Sequence, residues 1–265
     1  MDSPSTYWAD RAALEWLAEL GADEAILEAP VDRYRAAEEA PKPAAPAAAP
    51  AIPSRGDAPP PPPPLAAEVD AVAEARALAA GAPDLPGLAA AMQAFDHCAL
   101  KQGARRFVFA KGDPAAPLLL VLDPPEREAD RAGDLAAGAE GRLLANMLAA
   151  IGRALSPDAG SAYALPALPW RTLSDGPAAE EDLAVMRPFL HRHIALAAPE
   201  VVVLMGQNAV RAALGEGAAL SRGNWGEVLG RPALAMRSPR HLLRAPSEKR
   251  EAWADLLEVR ARLAG

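Results

Sequence analysis

Residues 117–123 have the sequence PLLLVLD, a run of five apolar residues that ends in a carboxylate. A short, fully apolar run of this kind is typical of a strand that is buried on both faces. A second run of the same character, VVVLMG, occupies residues 201–206. We therefore predict a central parallel sheet, because parallel strands are normally covered by helices on both sides.

Further predicted elements alternate along the chain around these two runs. Additional strands are predicted at RFVFA (106–110), SAYAL (161–165) and ALAM (233–236). Helical patterns cover about 65–80, 85–95, 139–153 and 178–195, and further helices follow Gly206 and Pro246. This alternation predicts an α/β fold, a three-layer αβα sandwich with a central, mainly parallel sheet of about four strands.

A proline-rich segment divides the chain. Residues 41–64 hold eleven prolines in twenty-four positions, a composition that excludes a helix or a sheet ladder and favours an extended, disordered linker. Before it, residues 1–40 are predicted to form an N-terminal helical extension, since apolar residues recur at helical spacing over residues 7–20. Residues 65–265 are predicted to form the α/β domain.

Composition argues against several classes of protein. The chain has no long uncharged apolar run and its acidic N-terminus does not resemble a signal peptide, so we expect a cytoplasmic protein with no membrane association. The single cysteine, Cys98, excludes an internal disulfide framework and a metal site built mainly from thiolates. No glycine-rich dinucleotide or phosphate-binding motif occurs, which argues against a nucleotide-cofactor enzyme or an ATPase.

The net charge of −8 is unevenly distributed. Residues 1–64 contain eleven acidic and five basic residues, which leaves residues 65–265 nearly neutral. Within the neutral part, residues 237–250 carry five Lys or Arg and one Glu. This basic stretch is either a nucleic-acid contact or an ordinary solvated start of the terminal helix.

Four loops follow the predicted strands at 123–138, 166–177, 206–208 and 237–244, where open α/β sheets bind their ligands. The segments that contain or adjoin them are VLDPPEREADRAGDLAAGAEGRLLANMLAAIG, YALPALPWRT, MRPFLHRHIALAAPEVVVLMGQNAV, SRGNW and RSPRHLLRAPSEKREAWADLL. In this order they resemble the motifs of the uracil-DNA glycosylase superfamily, specifically the bacterial branch called family 4, over about residues 92–262.

The resemblance implies base-excision repair of DNA, in which a uracil or related deaminated base is flipped into a pocket and its N-glycosidic bond is hydrolysed. It places a catalytic carboxylate at Asp123. Three other functional positions are substituted: Ala136 stands where the family has the stacking Phe, Pro166 where it has the uracil-reading Asn, and Ser238 where it has the His that stabilises the departing base. The base pocket is expected to contain Pro124, Pro125 and Asp130.

The same resemblance bears on a metal cofactor. Family 4 proteins hold an iron-sulfur cluster with four cysteines, and the corresponding positions here are Phe95, Cys98, Trp170 and Met186. One thiolate cannot hold a four-iron cluster. We therefore expect no cofactor, and a packed apolar plug at these positions.

Two interpretations of function remain open from the sequence. The first is a glycosylase of weak or lost activity that acts through Asp123. The second is a non-catalytic descendant that binds DNA, single-stranded or double-stranded, or a repair protein through the N-terminal extension. His241 could replace the lost histidine or contact DNA phosphates, whereas His191 and His193 are interpreted as ordinary helix residues. The predicted DNA-binding residues are Arg237, Pro239, Arg240, His241 and Arg244.

Overall fold

The computed structural model describes residues 70–156, 161–172, 177–215, 217 and 220–264, which belong to one compact unit. The predicted N-terminal helical extension and the proline-rich linker lie outside these residues. None of the described helices is long and apolar enough to cross a membrane.

The described part of the chain begins with three helices, after which strands and helices follow one another to its end. The helices are α1 (Ala71–Gly81), α2 (Leu85–Ala94), α3 (Leu100–Gly103), α4 (Arg127–Ala132), α5 (Gly138–Ala150), α6 (Glu180–Ala197), α7 (Gln207–Leu214), α8 (Pro239–Arg244) and α9 (Lys249–Leu263). The strands are β1 (Lys111–Gly112), β2 (Leu118–Leu122), β3 (Tyr163–Pro166), β4 (Val201–Met205), β5 (Trp225–Val228) and β6 (Arg231–Met236).

These six strands form one sheet in the order β1-β3-β2-β4-β6-β5. The four central strands are parallel, and Leu120 on β2 pairs with Ala164 on β3 and Val203 on β4. The short edge strands β1 and β5 are antiparallel to their neighbours. The sheet confirms the predicted α/β fold with a mainly parallel centre of four strands, to which two edge strands are added.

Side chains of the central strands alternate between two apolar cores, one on each face of the sheet. Leu119 and Val121 belong to the core that includes helices α1, α2, α6 and α7. Leu118, Leu120 and Leu122 belong to the core that includes helices α5, α8 and α9. Because both faces of the sheet are covered, the fold is the predicted three-layer sandwich.

The prediction of a strand at RFVFA was wrong. Residues 107–110 belong to none of the described strands, although the Val108 amide donates a hydrogen bond to the Pro169 carbonyl at 2.9 Å. The register that pairs Lys111 with Ala164 would set Phe109 opposite Pro166. Proline has no N–H to donate to a ladder, so regular pairing begins only at Lys111.

Two short elements near the C-terminus were not predicted. Strand β5 forms a hairpin with β6 across Leu229 and Gly230, which both have a positive φ, as the tightest hairpin turns require. Helix α8 occupies the stretch that was predicted as a loop. It starts with Ser238 as the N-cap, whose hydroxyl accepts a hydrogen bond from the His241 amide, and with Pro239 in the first turn.

Candidate functional site

The carboxyl ends of the central strands bring the predicted loops together. Asp123 follows β2, Pro166 ends β3, Gly206 follows β4, and Ser238 lies two residues beyond β6. These positions are distant in sequence, and parallel pairing alone places them at one edge of the sheet. The order of the parallel strands therefore brings the residues of the candidate site together.

Asp123 is held at the centre of this edge by neighbours from two other loops. Its Oδ1 atom accepts a hydrogen bond of 3.2 Å from the Asn208 amide, at the start of α7. Burial raises the pKa of Asp123 above its usual value, while hydrogen bonds from the Ser238 and Asn208 side chains and the charge of Arg240 oppose that rise. A fixed carboxyl of this kind can orient a water molecule or stabilise a developing positive charge.

Gly206 is a structural requirement of this arrangement. Its φ of +108° is a conformation that residues with a side chain rarely adopt. A Cβ atom at this position would lie 2.3 Å from the Asp123 Oδ2 atom, well inside van der Waals contact. Glycine at the end of β4 is thus what lets the Asp123 carboxyl sit against the start of α7.

A cleft of about 500 Å³ opens beside Asp123. Its apolar lining comes from residues such as Val210 and Met236. Among the described lining residues, Asp123 is the one acidic side chain, whereas five are arginines and one is a histidine. The arginines that form this cationic wall of the cleft are Arg211, Arg222, Arg237, Arg240 and Arg244, and His241 lies beside them.

Glutamate at position 248 organises part of this cationic wall. Arg237 Nε lies 2.6 Å from its Oε2 atom, and His241 Nε2 lies 3.0 Å from its Oε1 atom. These contacts lower the pKa of Glu248, with the His241 hydrogen bond as the largest cause. Arg237 and His241 nevertheless keep about two fifths of their side-chain surface exposed, at 42% and 41%, so both still face the solvent of the cleft.

Arg240 and Arg244 differ in their surroundings although they lie one helical turn apart on α8. Arg244 is exposed at the end of the helix. Arg240 is largely buried, at 13% exposure, and its Nε donates to Glu140 Oε1 at 2.6 Å. Its Nη2 donates to the Pro124 carbonyl at 3.0 Å. Arg240 thus ties α8 to the loop after β2 and to the start of α5.

A second cavity lies on the other side of Asp123 and holds only about 30 Å³. It is lined by the predicted base-pocket residues Pro124 and Pro125, and also by Glu126, Glu140 and Ser238. Burial is the main cause that raises the pKa of Glu126 and of Glu140, and their mutual repulsion adds to the rise at Glu126. Within the part of the chain that the structure describes, Glu126 Oε1 is enclosed and accepts no hydrogen bond.

Three further predicted positions, Asp130, Pro166 and Pro239, are buried in the fold. Asp130 is buried, and its Oδ1 atom accepts hydrogen bonds from the Arg105 and Arg106 amides at 2.9 and 3.2 Å. Pro166 is buried and pairs with Leu122 in the sheet, and Pro239 is buried in the first turn of α8. Of the three, Pro239 lines the small cavity, while Asp130 and Pro166 line neither cavity.

Ala136 sits where the loop after β2 meets the start of α5. Its amide donates to Asp134 Oδ1 at 2.8 Å. A Cβ atom on Gly141 would lie 2.2 Å from the Ala136 carbonyl carbon, so the helix packs directly against this backbone. The adjacent residue, Ala137, lines the small cavity. Ala136 itself lines neither of the two cavities.

The four positions at which the sequence resemblance leads us to expect cluster cysteines all belong to the apolar core on the α6 face of the sheet. The exposure of Phe95, Cys98, Trp170 and Met186 is 3% or less in each case. Burial raises the pKa of the Cys98 thiol to about 12, so the sulfur stays protonated and points at Asp182 Oδ1, 3.6 Å away. These residues offer one cysteine thiol and do not fit an iron-sulfur cluster.

The two histidines of α6 are bonded within the fold. His193 is buried, its Nε2 lies 2.8 Å from the Tyr163 hydroxyl, and burial lowers its pKa to about 3. His191 Nε2 lies 2.8 Å from the Ala213 carbonyl. The described residues contain no cluster of three or more His, Cys, Asp or Glu that could hold a metal ion.

Sequence reasoning missed Glu140 and Arg222 as parts of the site. Glu140 contacts Arg240, which lies one hundred residues further along the chain, and no local sequence pattern predicts such a pairing. Asn208 was within a predicted loop, but its contact with Asp123 depends on the packing of α7 against β4. For Glu140 and Asn208 the available signal was their position at a predicted helix start or immediately after a predicted strand. Arg222 lies in the SRGNW segment, away from any predicted strand end.

Comparison with known protein families agrees with the geometry. The model of the uracil DNA glycosylase superfamily matches residues 109–257 of this chain. The matched region runs from the segment before β1 into α9 and so includes all four strand ends of the site. The chain belongs to the uracil DNA glycosylase superfamily.

Proposed function

We propose that this member of the uracil DNA glycosylase superfamily binds DNA through the cleft beside Asp123 and releases uracil very weakly or not at all. The superfamily supplies a glycosylase-like function in general, and DNA is the partner that it suggests. A place in base-excision repair follows from the same membership. Asp123 is the functional carboxylate that remains from the pattern seen in the sequence.

The observation that carries DNA binding is the cationic wall of the 500 Å³ cleft. DNA affinity comes largely from Lys and Arg contacts with phosphates, which release bound counterions. Arg244 is exposed, and Arg237 and His241 keep about two fifths of their side-chain surface exposed beside Glu248, whereas Arg240 is largely buried against Glu140 and Pro124. We therefore assign phosphate contacts to the first three, and to Arg240 a supporting position behind them.

Weak excision follows from the groups that Ala136, Pro166 and Ser238 do not provide. Loss of one preorganised donor at a developing anion costs about 10²- to 10³-fold in rate. Loss of an aromatic platform removes roughly 1 to 3 kcal/mol of stacking for a flipped base. The Ser238 hydroxyl is committed to Asp123 and to the cap of α8, so it is poorly placed to replace a histidine donor.

A second candidate is an active glycosylase for a related deaminated base. It is favoured by the position of Asp123, which is held by the Asn208 amide at the edge of an open cleft. In that case Asp123 would orient the attacking water or stabilise the cationic sugar. Hypoxanthine and xanthine in DNA are the substrates to compare with uracil.

Fluorescence anisotropy with a labelled oligonucleotide, single-stranded and double-stranded, tests the DNA proposal at several salt concentrations. We expect affinity to fall as salt rises, and Arg244→Ala to reduce the slope of log K against log salt by about one. Arg76→Ala, at an exposed position on α1, is the matched control and should leave the slope unchanged. Equal slopes for the two variants, or no binding at low salt, would contradict the proposal.

We also propose that the protein works without an iron-sulfur cluster, because the residues at the four positions offer a single buried thiol. Purified protein should be colourless and free of iron. Visible absorption together with stoichiometric iron would overturn this part of the proposal. A repair-protein partner for residues 1–40 remains a separate proposal, which pull-down with and without that segment would test.

A further inference from the structure

The small cavity beside Asp123 has too little room for a nucleobase. Its volume is about 30 Å³. A cavity needs about 10 to 15 Å³ to accept one water molecule, so this one has room for a water or two. A pyrimidine base is several times larger than water. A base could enter this cavity only if the side chains around it moved.

Three charged side chains close it. Arg240 reaches across from α8 and is fixed by Glu140 Oε1 at 2.6 Å and by the Pro124 carbonyl at 3.0 Å. Glu126 folds over the start of α5, where a Cβ atom on Gly138 would meet its Oε1 atom at 2.1 Å. Both glutamates line the small cavity, and Arg240 lines the large one. The Arg240–Glu140 pair thus separates two cavities that share Asp123 and Ser238.

The environment of Glu126 shows that this closure is not simple apolar packing. Its Oε1 atom is enclosed and accepts no hydrogen bond from the residues that the structure describes. A buried carboxylate oxygen without a donor is costly. Glu126 therefore fills space beside the small cavity although one of its carboxylate oxygens lacks a hydrogen-bond donor.

We propose that Glu126, Glu140 and Arg240 form a plug in the nucleobase pocket, and that this plug, beyond the three substituted positions, prevents a base from entering. The inference rests on the proposed function, since it explains why a DNA-binding member of the superfamily does not excise uracil. It makes the three plug residues specificity-determining. None of them contacts the reacting atoms.

Binding of free uracil, measured by calorimetry or by NMR titration without DNA, tests the plug directly. The starting variant is Ala136→Phe/Pro166→Asn/Ser238→His, which restores the stacking, amide and histidine side chains. We expect it to bind uracil no better than the native chain. Adding Glu126→Gly/Glu140→Ala/Arg240→Ala should tighten uracil binding by at least about tenfold.

The matched control adds Arg187→Ala/Glu180→Ala to the same starting variant. It removes an arginine-glutamate pair that lies 2.8 Å apart, is shielded to a similar degree, and lines neither cavity. It should not change uracil binding. A thermal melt of each variant verifies that it is folded. If the variant with all six substitutions does not fold, adding Glu126→Gly alone to the starting variant should give a smaller but measurable gain in uracil affinity.

Uracil binding by the starting variant alone would overturn the plug, and so would a folded plug-free or Glu126→Gly variant that gains no binding. These outcomes are separate from failure of the proposed function. That function fails if the native chain does not bind DNA or excises uracil efficiently, and both are measured with DNA rather than with the free base.

Discussion

The core around Cys98 and the cleft around Asp123 are the two regions where this chain departs most from the pattern that its sequence resembles. At the core positions, Phe95, Trp170 and Met186 stand where the sequence resemblance leads us to expect cysteines, and they are packed in an apolar core. Beside Asp123, the ion pair of Arg240 and Glu140 lies between the open cleft and the small cavity. An apolar replacement stabilises the fold, whereas a buried ion pair is close to neutral and is costly to break.

The comparison separates what each region contributes. Apolar packing at the core positions can take over the structural part of a cluster, because it holds α6 and the segments around residues 95 and 170 together. The Arg240–Glu140 ion pair adds little net stability to the fold, and it keeps charged groups close to Asp123. We infer that the core positions serve to stabilise the fold, while the basic side chains of the cleft suit an anionic partner.

The largest expected effect is in the core. Trp170→Ala should lower the free energy of unfolding by about 3 to 5 kcal/mol, because the indole is 3% exposed and packs against Phe107. Trp253→Ala, at a position with 41% exposure, is the matched control and should cost less than about 1 kcal/mol. Urea denaturation measures both. Similar losses for the two tryptophans would show that the core positions are not stabilising.

A smaller effect is expected when the ion pair is broken. Arg240→Ala leaves Glu140 partly buried without its guanidinium partner and should cost about 2 to 3 kcal/mol, at the lower edge of values for buried pairs. Glu140→Ala/Arg240→Ala removes both charges and should cost less than the sum of the single changes. A double-mutant cycle by urea denaturation measures this coupling. Strict additivity would mean that the two side chains do not act as a pair.

The smallest expected effect concerns Asp123 and its raised pKa. A carboxyl whose folded pKa lies above its unfolded value stabilises the fold at low pH, and this contribution is lost as pH rises through the folded pKa. Asp123→Asn should therefore be slightly more stable than the native chain at neutral pH, by a few degrees at most for a domain of about this size. The difference should shrink as pH falls toward about 4, the ordinary value. Thermal melts across this range measure it, and a less stable Asp123→Asn at neutral pH would contradict the assignment.

The sheet could be predicted because its central strands are short and apolar and are separated by helices. PLLLVL and VVVLM have the length and composition of buried strands. The strand prediction for RFVFA failed because nothing in that stretch shows that the neighbouring strand, β3, ends in Pro166. Helix α8 could have been found, since serine followed by proline is a common helix start. The pairing of Arg240 with Glu140 could not, because it depends on the packing of α8 against α5.

Uracil release by the unmodified protein tests the central claim most directly. The measurement is cleavage of a fluorescent uracil-containing oligonucleotide, single-stranded and double-stranded, with anisotropy on the same samples to verify that DNA is bound at low salt. We predict salt-sensitive binding with uracil release at or near the background of the Asp123→Ala variant. Efficient uracil release by the native chain that Asp123→Ala abolishes would show that the pocket admits a base and that the protein is a working glycosylase.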